Sequence, residues 1–157
     1  YKRVIRNLHL EFEVITMPEL EADDAMGIYA TKLPGHTIVS PDKDMRQIPG
    51  KLFNLEDTTT ITPEEGARWH LIQTLAGDQT DGYSGVPGIG VKRAATLFEK
   101  QGYSWATVLQ AFEDKGLTEE DALLNARLAR ILTDQDYDSK TQTPILWTPE
   151  ADYQIDS

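Results

Sequence analysis

The spacing of apolar positions changes period several times along the chain and predicts short strands alternating with helices. Residues 1–16 read as a helix running into a short strand on Phe12, Val14 and Ile15, which Pro18 interrupts. Residues 21–32 carry Ala22, Ala25, Met26 and Tyr29 at helical spacing, and Leu33-Pro34-Gly35 ends that helix. Residues 36–40 are mostly β-branched or apolar and bounded by prolines, which predicts a buried strand. A short helical turn is predicted over 42–47 and a second strand over 52–55. Thr62-Pro63-Glu64-Glu65 reads as a helix start, with a threonine cap, proline in the first turn and glutamate three residues on. That helix reaches Ala76, and Gly77 stops it. Further helices are predicted over 91–101, 104–115 and 118–133, and a last strand-like piece over 144–147. The first half therefore predicts an α/β fold and the later part an all-helical subregion.

Three acidic clusters interrupt this pattern: Glu21, Asp23 and Asp24; then Asp42 and Asp44; then Asp78 and Asp81. Each has a bland explanation. Acids favour helix N-termini, and Glu21 and Asp24, three residues apart, share a helix face that Asp23 leaves. Ser40-Pro41-Asp42 is a common turn opener, although the end of a strand in an α/β sheet is also where sites form. Asp78 and Asp81 are harder to dismiss, because they follow a helix C-terminus, where the dipole disfavours negative charge. A bound cation would repair that placement. Taken together the clusters predict a shared site for two Mg²⁺ or Mn²⁺ ions, which prefer hard oxygen ligands.

The third cluster runs into Gly85-Val86-Pro87-Gly88-Ile89-Gly90-Val91-Lys92. Glycines at 85, 88 and 90 permit positive φ and close backbone approach. Amides of Gly88 and Gly90, with Lys92 and Arg93 beginning the next helix, form a candidate phosphate grip. The same turn also serves as a tight helix connection packed by Val86, Ile89 and Val91. Asp134, Asp136 and Asp138 open like a calcium loop, but Ser139 and Ile145 stand where glycine and glutamate are needed; they read as a solvated exit from the last helix. His9, His36 and His70 show no metal or triad spacing, and Trp69 and Trp105 read as core residues.

Composition narrows the classes. A chain of 157 residues with 39% hydrophobic and 26% charged residues is globular, and no apolar run approaches a membrane span. It has no cysteine, which excludes disulfides and cysteine-ligated zinc and fits a cytoplasmic protein. Fifteen basic against 26 acidic residues give a net charge of −11, which by itself argues against nucleic acid. Bound cations and a local basic group of Lys92, Arg93 and Lys100 soften that objection, with the consequence that binding should be steeply salt-dependent.

The order Glu-Ala-Asp-Asp, Ser-Pro-Asp-Lys-Asp, Gly-Asp-Gln-Thr-Asp-Gly and Gly-Val-Pro-Gly-Ile-Gly-Val-Lys resembles the 5′-nuclease superfamily. That group holds flap endonucleases, the 5′-nuclease domain of DNA polymerase I and phage 5′→3′ exonucleases. Residues 78–85, with 117–121 and 129–132, look most like the exonucleases of short-tailed phages. The resemblance spans about residues 1–149. It implies the C-terminal portion of a PIN-like α/β 5′-nuclease fold with a helix–hairpin–helix subdomain. On it, 1–76 are part of a metal-binding core, 77–133 the helix–hairpin–helix subdomain and 134–157 a tail returning to the core. It also implies Glu21, Asp23 and Asp24 as ligands toward a first metal, and Asp42, Asp44, Asp78 and Asp81 toward a second. Gly85, Gly88, Gly90, Lys92 and Arg93 would hold DNA, with a K⁺ on hairpin carbonyls around Val86 and Ile89. Family members begin with a strand carrying a metal-binding aspartate and a basic arch, so the resemblance implies upstream residues before Tyr1. The implied partner is double-stranded DNA with a 5′ end or flap, bound by a monomer in phage-infected or bacterial cytoplasm. The implied reaction is two-metal phosphodiester hydrolysis without a protein nucleophile. A catalytically inactive duplex-binding module and a structural domain with solvated acids stay open beside it.

Overall fold

The structure, a computed structural model, describes residues 12–155. Among these residues it is α/β, with five helices and two small sheets. Helix α1 spans Ala22–Lys32. Strands β1 (Thr37–Val39), β2 (Gly50–Phe53) and β3 (Thr58–Ile61) form one sheet in that order. β1 pairs parallel to β2 with Ile38 opposite Leu52, and β2 pairs antiparallel to β3 with Lys51 opposite Thr60. A 3₁₀ turn, Lys43–Gln47, makes the crossover from β1 to β2. Helices α2 (Pro63–Ala76), α3 (Val91–Gln101), α4 (Trp105–Glu113) and α5 (Glu119–Ala129) follow.

Most predicted elements are found, several with altered ends. Of the expected helix and strand over 1–16, residues 1–11 lie outside the described residues; residues 12–16 form no strand, and Phe12 is exposed. β1 is only half a buried strand: Ile38 is inside while Thr37 and Val39 face outward. β3 is an addition, since three consecutive threonines carry no apolar alternation. Its register follows from the turn before it, where the Asn54 side chain accepts the amides of Glu56 and Asp57. α1 buries Gly27 and Ile28 instead of the anticipated alanine and tyrosine face. The reason is close approach: a Cβ on Gly27 would stand 2.1 Å from the Leu132 carbonyl oxygen.

The caps behave as the sequence predicts. Thr62 Oγ1 accepts the Glu65 amide, Ser104 Oγ accepts that of Thr107, and Thr118 with Asp121 completes a reciprocal capping box. α5 stops at Ala129, earlier than expected, because the backbone turns extended at Arg130. That lets the Ile131 amide donate to Gln47 Oε1 and the Leu132 amide to Asp24 Oδ1.

Two apolar clusters result. The larger joins α2, α3, α4 and α5 through Trp69, Leu71, Leu75, Phe98, Trp105, Phe112 and their neighbours. The smaller gathers Ile38, Met45, Ile48, Leu52, Ile61 and Ile131 around the sheet. α2 is buried continuously from Trp69 to Leu75 and lies between them. The segment after α5 is structural and not a solvated exit: Asp136 is buried, pairs with Arg130 at 2.9 Å and accepts the Thr133 hydroxyl. The final strand is shifted to β5 (Thr143–Pro144), paired with β4 (Tyr137–Asp138). Trp147 then stacks edge-on to His70, Trp105 and Tyr153. No helix among the described residues is long and apolar enough to cross a membrane.

Candidate metal centre and phosphate-binding turn

Three parts of the chain bring carboxylates to one place. Asp23 comes from the first turn of α1. Asp42 caps the 3₁₀ turn, its Oδ1 accepting the Asp44 amide at 2.9 Å, while its own amide donates to Ser40 Oγ. Asp44 lies inside that turn. Asp78 and Asp81 lie in the loop after α2, which closes on itself through a pair of backbone bonds between Asp78 and Tyr83. Carboxylate oxygens of Asp23, Asp42 and Asp44 lie within 4.8 Å of one another, and so do those of Asp44, Asp78 and Asp81. Asp44 belongs to both trios.

Burial explains why Asp44 sits at the pivot. It is 6% exposed, and a chain of amide side chains holds it. Gln73 Nε2 donates to Asp44 Oδ1, Gln47 Nε2 donates to Gln73 Oε1 and to the Ala129 carbonyl, and Gln47 Oε1 accepts the Ile131 amide. The chain ties the site to the end of α5. Sequence reasoning missed Gln47 and Gln73, and glutamines give no signal beyond falling at buried positions of their elements. Tyr83 was missed too; it is buried, and its phenol faces Asp44, Asp78 and Asp81.

Two predicted acids stand outside the trios. Glu21 is the extended residue before α1, and Asp24 spends its carboxylate on the Leu132 amide at 3.0 Å. On the helix it is thus Asp23, expected to point away, that joins the other carboxylates.

The electrostatics are those of an under-compensated anionic site. Burial, then a hydrogen bond with Asp81, raises the Asp44 carboxyl to about 6. Burial and the neighbouring carboxylates of Asp42, Glu21, Asp24 and Asp81 raise Asp23. Burial also raises Asp24, against the opposing pull of the Leu132 amide. For Asp78, burial pushes upward but the Lys43 ammonium, 3.2 Å away, outweighs it and holds the carboxyl below its usual range. Burial and the surrounding carboxylates push the Tyr83 phenol up, so it stays protonated. Five carboxylates around one ammonium, all hard oxygen donors, fit Mg²⁺ or Mn²⁺ better than a softer metal.

The glycine-rich turn lies a few residues on. Gly85 departs from its expected role, because it is buried, its φ is +61°, and its amide donates to Asn125 Oδ1 at 2.8 Å. It lets the chain pass the Leu75 carbonyl, from which an added Cβ would be 2.4 Å away. Gly88 and Gly90 are exposed. Gly90 caps α3 without any side-chain acceptor, leaving the first-turn amides of α3 directed outward. Arg93 donates back to the Gly88 carbonyl at 3.0 Å and braces the turn. Beside it runs a groove of about 490 Å³ whose lining includes Lys92, Arg93, Lys100 and Lys115 against a single acid, Asp114.

No family model matches the chain. It is 31% identical to an exodeoxyribonuclease of Enterobacteria phage T3 and 30% identical to an exonuclease of Escherichia phage T7, over 90% and 88% of its own length. It is 28% identical, over 91% of its length, to a 5′-3′ exonuclease of Halalkalibacterium halodurans. The chain spans 57–59% of the length of these relatives. Its relatives are thus exonucleases of two phages and a 5′-3′ exonuclease of a bacterium, and they support a place for the chain in the 5′-nuclease superfamily.

Proposed function

We propose that the chain works within a 5′→3′ exonuclease or structure-specific 5′ endonuclease that hydrolyses DNA phosphodiesters with two divalent cations. The observation that carries this reading is the sharing of Asp44 between two carboxylate trios whose oxygens all lie within 4.8 Å in each trio. Asp23, Asp42 and Asp44 would hold one cation and Asp44, Asp78 and Asp81 the other, with Glu21 adding negative field beside Asp23. Bound there, the cations supply the charge that eases attack of water on a phosphodiester. The chain's own residues set the stage for that step. Gln73 and Gln47 fix Asp44, and Lys43 and the turn amides fix Asp78. The carboxylates position charge and carry no proton in the reaction.

On the same reading α2, the glycine turn and α3 are a helix–hairpin–helix. The amides of Gly88, Gly90 and the first turn of α3, with Lys92, take backbone phosphates without reading sequence. A K⁺ on the Val86 and Ile89 carbonyls belongs to this proposal, although the Val86 carbonyl already accepts the Ile89 amide at 3.1 Å. Residues 1–76 then serve as metal-binding core, 77–133 as DNA-binding subdomain and 134–157 as a tail closing over both. The substrate is double-stranded DNA with a 5′ end or flap, and the working unit a monomer in the cytoplasm.

The test is calorimetric titration of Mn²⁺ and Mg²⁺ into the chain and into Asp78→Ala. Binding removed by the substitution supports the shared site. Asp78→Ala in the whole protein should then abolish cleavage and leave duplex binding intact. Duplex binding without any cation binding would favour an inactive DNA-binding module instead.

A further inference from the structure

Lys43 is the one cation among the described residues paired with a candidate metal ligand; the other ion pair there joins Arg130 to Asp136. Its backbone is fixed. The Trp69 indole donates to the Lys43 carbonyl at 2.9 Å, and the Arg46 guanidinium lies 3.9 Å over the same indole ring. Its side chain is not fixed in the same way: it is 55% exposed and reaches Asp78 Oδ2 at 3.2 Å from the solvent side. An ammonium on a four-carbon stem is a point charge that can swing between partners.

We propose that Lys43 is a positioning residue that couples binding of the second cation to binding of a DNA phosphate. It holds Asp78 in register by ion pairing, and a substrate phosphate draws the ammonium off and releases Asp78 for a divalent cation. The inference rests on the proposed function above. Its physical basis is competition: an ammonium and a divalent cation about 4 Å apart repel, so each weakens the other's hold on Asp78. A phosphate that engages Lys43 removes that repulsion. By linkage, the cation must then tighten DNA binding by the same factor that DNA tightens cation binding.

The experiment is calorimetric titration of Mn²⁺ into wild type, Lys43→Met and Lys43→Arg, each with and without a short phosphorothioate duplex that resists cleavage. Lys43→Met keeps the stem and removes the charge. It should bind the second Mn²⁺ about tenfold tighter than wild type without DNA, and the duplex should add little. In wild type and Lys43→Arg the duplex should tighten the second Mn²⁺ about tenfold. A merely structural lysine would not shift cation affinity upward, so unchanged or weaker Mn²⁺ binding by Lys43→Met, with wild-type binding still sensitive to Asp78→Ala, overturns this inference alone. If no protein binds Mn²⁺, the reading beneath it fails as well. Circular dichroism melts in chelator check folding, and Lys43→Gln replaces the methionine variant if that one does not fold.

Discussion

Asp44→Asn tests the most specific claim made of the site, that a buried carboxylate is kept for function at a cost in stability. Burial and Asp81 raise the Asp44 carboxyl from the ordinary 3.8 to about 6. Above pH 6 the ionised form therefore opposes folding. Taken at face value that shift is worth at most about 3 kcal/mol, and the proton shared with Asp81 and relaxation of the site reduce it to about 1–2 kcal/mol. Asparagine retains the oxygen that Gln73 donates to and supplies an N–H where the shared proton lay. In chelator at pH 7.5 the variant should melt about 3–6 °C above wild type, at roughly 2–4 °C per kcal/mol for a chain of this size. At pH 5, where the unfolded carboxyl is still ionised, the gap should shrink to about half, and it closes only below the unfolded value of 3.8. The sign is fixed: a raised carboxyl contributes stability below its unfolded value and loses it as pH rises through the folded one, and Asp23 and Asp24 act in the same direction. Asp78, held low, loses its contribution only as pH falls through values below 3.8, outside this window. With Mn²⁺ the order reverses, because wild type gains stability from a ligand bound to the folded state and Asp44→Asn loses a ligand from both trios. Melting curves in chelator and in Mn²⁺ between pH 5 and 8 decide the matter. A variant less stable than wild type at pH 7.5 in chelator, or one that keeps two Mn²⁺, would refute the reasoning.

Two further outcomes follow from neighbouring residues. Gln73→Ala opens space in a site 3% exposed and strips Asp44 of its donor and Gln47 of its acceptor, so chemical denaturation should show a loss of about 2–4 kcal/mol; calorimetry should show weaker Mn²⁺ binding even where the variant is folded. Lys92→Ala and Lys100→Ala, both in the lining of the groove beside the glycine turn, should each flatten the slope of log affinity against log salt for duplex DNA by about 0.9, measured by fluorescence anisotropy. Lys51→Ala on β2 should leave that slope unchanged.

The helical half of the fold was legible in the sequence because its signals are local. Caps at Thr62, Ser104 and Thr118 and stops at Gly77 and Gly102 act within one turn of backbone, and the structure places helix ends beside them. What escaped depends on distant partners. β3 is a strand because β2 offers it hydrogen bonds, not because Thr58-Thr59-Thr60 carries a period. α5 ends at Ala129 because Gln47 and Asp24 capture the next amides from 84 and 108 residues away. The acidic clusters could be picked out by spacing, yet spacing chose the wrong member of the first: i to i+3 periodicity pairs Glu21 with Asp24, whereas Asp24 serves the Leu132 amide and Asp23 meets Asp42 and Asp44. Periodicity reports which residues share a helix face. It does not report what that face touches.

That distinction also bears on a chain of net charge −11 that gathers carboxylates at one place and lysines at another. The carboxylates converge where backbone hydrogen bonds and the buried glutamines hold them, so their mutual repulsion is concentrated at a single point that cations can neutralise. The lysines of α3 and of the turn after α4 carry no ion pair among the described residues, so their charge remains available to phosphate. Five of the 26 acids are gathered in the trios; on the proposed function that places part of the repulsion where cations would bind and leaves the glycine turn and its groove for a phosphate backbone. On the proposed function, cation binding and DNA binding are joined through the field as well as through Lys43, and removing cations should weaken duplex binding.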